Sequence, residues 1–100
     1  MDTGNLQLQG VCLALASLNK LLVSKGVCSP EEIQSALTQA EMAAESDERF
    51  LSSLTPPQRD AVTFPIRFLQ IAIGKQNADL SFTALAKAVG ETKKSYNDQL

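Results

Sequence analysis

Val11, Leu15, Leu18 and Leu22 recur at i, i+4, i+7 and i+11, which places all four on one stripe of a helix. Cys12, Leu13, Ala14, Ala16 and Leu21 spread apolar character beyond that stripe, and no polar residue interrupts Val11 to Ala16. The pattern predicts a helix from about Asn5 to Gly26. Without a polar back, such a helix is either central in a core or shared with another subunit. Lys20 and Lys25 suit the negative end of its dipole, and Gly26 suits the first position past its end.

Two start signals follow. Ser29-Pro30-Glu31-Glu32 sets a capping hydroxyl before Pro at the first helical position and Glu at the third, with Cys28 and Ile33 spaced for a hydrophobic staple. The second helix then runs to about Glu45, with Ile33, Ala36, Leu37, Ala40 and Ala44 inward. The connection from Lys25 to Ser29 is short, so the first two helices are expected to form an antiparallel hairpin. Ser46 and Asp47 break the pattern, and Glu48 to Leu54 reads as a short helix or turn. Thr55-Pro56-Pro57-Gln58 repeats the start signal.

The helix that follows holds Phe64, Phe68 and a run of aliphatics up to Gly74, with Arg67 its one charge after Ala61. Pro65 lies inside it and predicts a kink, since it removes one backbone hydrogen bond. Residues 74 to 79 read as a loop, and Phe82 to Val89 as a further helix stopping at Gly90. The expected fold is all-α: a small bundle of four to five helices forming one domain over residues 1–100, with 91–100 a tail that frays.

Composition agrees with helices. The chain is 44% hydrophobic and only 5% aromatic, built on Leu, Ala, Ile and Val, a mix read as helix packing because a sheet would want more Tyr, Thr, Phe and Val. Its 100 residues can bury about 65% of the unfolded surface, enough for a core without staples. Eleven acids against nine bases leave a charge of −2 and no strong field for polyanions.

The stretch from Thr3 to Asn19 is charge-free, but it carries Asn5, Gln7, Gln9, Ser17 and Asn19. Its apolar part is short of the roughly 20 residues a span needs, so no membrane role is expected. Asp2 and the lack of a cleavage site argue against a signal peptide, and the expected location is cytoplasmic.

There is no histidine, which removes the usual general base, the imidazole-dependent triads and the commonest transition-metal ligand. No Gly-rich phosphate loop or Cys-x-x-Cys pair is present. No catalytic residue, metal or cofactor is therefore expected. Glu41 and Glu45 share a helix face, but Glu45 is also spaced to pair with Arg49, and a solvated helix end explains the cluster. Cys12 and Cys28 sit about 20 Å apart along the helix axis, so they read as free thiols in a reducing compartment.

Two long helices carry more apolar surface than a chain this size hides. The expectation is a protein that acts by protein–protein interaction, homodimerising through Val11, Leu15, Leu18, Leu22, Phe64 and Phe68. Arg67, set in an apolar helix, either ties two helices together or meets a ligand's acid group.

The alternative is a DNA-binding regulator. Leu85-Ala86 followed by Val89-Gly90 resembles the first helix and turn of a helix-turn-helix, which implies base and phosphate contacts from Lys93, Lys94 and Asn97. Glu91 stands where such motifs carry an apolar residue, and the few nearby bases give little of the expected footprint.

Overall fold

A computed structural model of the chain describes residues 3–74 and 81–92. Gly26 closes the first helix, α1 (Thr3–Ser24), in the left-handed conformation with φ of 73°. There the Gly26 N–H donates to the Val23 carbonyl and the Val27 N–H to the Leu22 carbonyl, both at 3.0 Å. These two bonds make a Schellman cap, which satisfies carbonyls the helix leaves open.

Helix α2 (Pro30–Glu45) opens with the expected reciprocal cap. The Ser29 N–H donates to Glu32 Oε1 at 2.8 Å, and the Glu32 N–H donates to Ser29 Oγ at 3.1 Å. Asp47 then caps the short α3 (Glu48–Ser52), its Oδ1 accepting from the Arg49 N–H at 2.9 Å. Arg49 pairs with Asp47 rather than with Glu45, because α2 has ended and the i, i+4 phase is broken.

Thr55 and Gln58 form the same reciprocal cap at the start of α4 (Pro56–Gly74). Helical structure passes through Pro65 without interruption. Ser81 Oγ accepts from the Ala84 N–H at the start of α5 (Phe82–Thr92). Five helices and no strand occur among the described residues: the chain is an all-α bundle.

α4 is the centre of that bundle. α1, α2 and α5 each make their main packing against α4, and α1 and α2 make only marginal contact with each other. The short connection between α1 and α2 delivers both helices to α4. The core gathers Cys12 and Ala16 of α1, Phe68, Leu69 and Ala72 of α4, and Leu85 and Val89 of α5.

Phe68 lies within this core and Phe64 and Phe82 are half-buried against it, with ring centroids 6.1 Å apart for Phe64–Phe68 and Phe64–Phe82 and 5.2 Å for Phe68–Phe82. Their separations lie in the range where tilted aromatic pairs attract beyond their burial.

Candidate functional site

α1 turns Cys12 and Ala16 inward, with Leu8 and Leu13 half-buried beside them, and its other leucines outward. Cys12 and Ala16 are buried against α4, where their size lets the helix come close to the bulk of Phe68 and Leu69. Val11 and Leu18 each keep 55% of their surface in solvent, and Leu15, Leu21 and Leu22 are also exposed. The four-residue stripe read from the sequence is therefore a continuous exposed apolar face. Its spacings of four, three and four residues are those of a coiled-coil seam. α1 is also long and apolar enough to cross a bilayer by length and composition, although Cys12 and Ala16 commit one of its faces to the bundle.

The two aromatic interface candidates do not join that face. Phe68 is fully buried, at 0% exposure, and Phe64 is half-buried against it. The i, i+4 spacing that puts both on one side of α4 also aims them at Phe82, so α5 covers them. Phe68 is a core residue, and the exposed apolar surface belongs to α1.

Arg67 joins α4 to the end of α5. Its Nη2 donates to the Val89 carbonyl and to Thr92 Oγ1, both at 2.9 Å. The same side chain lines a cleft of about 550 Å³ between α2 and α4. α2 presents Gln34, Thr38, Glu41 and Glu45 to the cleft, and α4 presents Thr63 and Gln70 beside Arg67. Gln34 Nε2 donates to the Gln70 carbonyl at 2.7 Å, and Gln70 Nε2 donates to Glu41 Oε1 at 3.2 Å. No group of three or more potential metal-ligating side chains occurs among the described residues.

The helix-turn-helix resemblance loses its turn. α5 continues through Gly90 to Thr92, and Gly26 is the one described glycine with positive φ. Thr92 Oγ1 donates to the Ala88 carbonyl at 2.8 Å, as a helical hydroxyl does. Lys93, Lys94 and Asn97 lie outside the described residues.

One buried charge escaped the sequence reading. Arg59 is only 3% exposed, and its Nε and Nη2 donate to the Phe50 and Leu51 carbonyls, both at 2.9 Å. Those carbonyls lie near the end of α3, where a helix leaves acceptors open. The signal in the sequence was an arginine one cap past a very short helix. Cys12 is buried, and desolvation pushes its thiol pKa above the usual value.

Compared with known protein families, with curated proteins and with solved structures, the chain matches none.

Proposed function

We propose that this protein is a non-catalytic interaction module that homodimerises through the exposed apolar face of α1. The observation that carries the reading is the exposure of Val11, Leu15, Leu18 and Leu22 on a helix already anchored by Cys12 and Ala16. A contiguous apolar face of this kind, on the order of a few hundred Å², is what soluble proteins reserve for partners.

The chemistry of the face selects a second copy of itself. Its seam spacing lets two α1 helices interlock knobs into holes. The stretch from Thr3 to Asn19 carries no charge, so two copies meet there without like-charge repulsion. An isologous pair is also the commonest way a single patch is covered. The lack of histidine throughout the chain supports a role other than acid–base catalysis.

Light scattering across a range of concentrations tests the reading, with Leu15→Glu plus Leu18→Glu as the variant. Both residues are exposed, so the variant should keep its helical circular dichroism. A dimer that becomes a folded monomer in the variant supports the proposal. A monomeric wild type at every concentration overturns it. Co-sedimentation of the wild type with lipid vesicles, lost in the variant, would assign the face to a membrane instead.

A further inference from the structure

Arg67 on α4 and Glu41 and Glu45 on α2 line one cleft, yet no ion pair forms across it. Closing such a pair gains little at an exposed site, so the opposite charges stay available to a ligand that meets both. Here the ion pair among the described residues is Arg49–Asp47, which lies just past the end of α2 and does not involve the cleft-lining charges. Arg67 spends Nη2 on α5 and leaves Nε and Nη1 without a hydrogen bond among the described residues. Glu41 accepts one bond from Gln70, and Glu45 accepts none there.

The two walls are built as matched polar stripes. Gln34, Thr38, Glu41 and Glu45 recur at i, i+4, i+7 and i+11 on α2, and Thr63, Arg67 and Gln70 at i, i+4 and i+7 on α4. Helices that pack this extensively usually face each other with apolar residues. Gln34 and Gln70 are held by hydrogen bonds across the gap, which fixes the spacing of the walls. The volume of about 550 Å³ is within the range of small-molecule sites. Ile71 adds one apolar wall to an otherwise polar lining.

We propose that the α2–α4 cleft binds a small zwitterion of the free amino-acid class. The ligand carboxylate takes the unused donors of Arg67, and its ammonium sits against Glu45 and the second oxygen of Glu41. A side chain then rests on Ile71. A pure anion would face two carboxylates, and a pure cation would face the guanidinium. A compound with both charges a few ångströms apart satisfies both walls at once. The site is separate from the α1 face and does not depend on it.

The test is a thermal-shift screen of the twenty free L-amino acids, followed by calorimetric titration of the best, with acetate and methylamine as half-ligands. The expected result is a concentration-dependent rise in Tm with at least one amino acid and none of comparable size with either half-ligand. Glu45→Gln should weaken binding by about tenfold or more. Glu45 is exposed and makes no hydrogen bond or ion pair among the described residues, so this variant keeps the fold. Arg67→Gln should abolish binding, at some cost to the α4–α5 junction. No Tm response to any amino acid overturns the proposal. So does an equal response to acetate or methylamine alone, or undiminished binding by Glu45→Gln.

Discussion

Arg59, in the first turn of α4, donates from Nε to the backbone carbonyl of Phe50, 2.9 Å away, and so holds α3 against the start of the next helix. The second bond, from Nη2 to Leu51, makes one guanidinium the cap of the whole short helix. Replacing it by methionine keeps much of the volume but strands both carbonyls. Arg59→Met should cost about 2–3 kcal/mol in denaturant unfolding. Arg59→Lys should recover only part of that, because an ammonium lacks the planar fork. Equal stability of Met and wild type would show that the bonds are not formed in solution.

The two reciprocal caps are separable from everything downstream. Ser29→Ala and Thr55→Ala should each lower stability by about 1 kcal/mol, and the effects should add because the caps serve different helices. Gly26→Ala should cost about 1–2 kcal/mol, since its φ of 73° strains any residue with a Cβ. Nothing lies within 4 Å of an added Cβ there, so the penalty is conformational rather than steric crowding by neighbours.

Phe68 and Phe64 sit one turn apart and should respond unequally. Phe68→Ala empties the centre of the core and should cost about 3–5 kcal/mol. Phe64, only half-buried, should cost less on the same change. Chemical denaturation with an unchanged m-value is the measurement.

The two thiols should differ in access. Cys28 is half-buried at the α1–α2 connection, while Cys12 is fully enclosed. A thiol reagent should modify one cysteine of the native protein quickly and the other only at the rate of unfolding. Burial also raises the pKa of Cys12 in the folded state. The folded chain therefore holds that proton more tightly than the unfolded one. Its contribution is fully present below the unfolded thiol pKa and is lost as pH rises through the folded value. Cys12→Ala should flatten the alkaline limb of the Tm profile.

Asp47 has the opposite sign. The Arg49 N–H, and after it the Arg49 side chain, hold its carboxyl below the ordinary value. Its contribution is present above the unfolded carboxyl pKa and is lost as pH falls through the lower folded one. Asp47→Asn should reduce the acid slope of the Tm profile and leave the alkaline side unmoved.

The helix ends were legible because each is a local event. Ser29 with Glu32, Thr55 with Gln58, and Gly26 all act within a few residues of themselves. The face that α1 would bury was not. Both of its arcs are apolar, so periodicity alone points to the larger leucines, while α4 needs the smaller Cys12 and Ala16 for close approach.

Phe68 was misplaced for a related reason: its spacing with Phe64 marks an apolar stripe but not which helix lies over it. The polar cleft was invisible except for Arg67 and the Glu41–Glu45 pair. Its two walls are 18 residues or more apart in the chain, and only the packing of α2 on α4 unites them.

The central position of α4 has a thermodynamic corollary. Its inner side carries Phe68 and Ala72, which meet Cys12 and Ala16 of α1, while Arg67, Gln70 and Ile71 on neighbouring positions form a wall of the cleft. α1 and α2 share little direct contact. Any free energy exchanged between pairing at α1 and occupancy of the cleft is thus carried chiefly by this one helix. By reciprocity, if filling the cleft changes pairing at α1 by some factor, pairing changes the affinity of the cleft by that same factor.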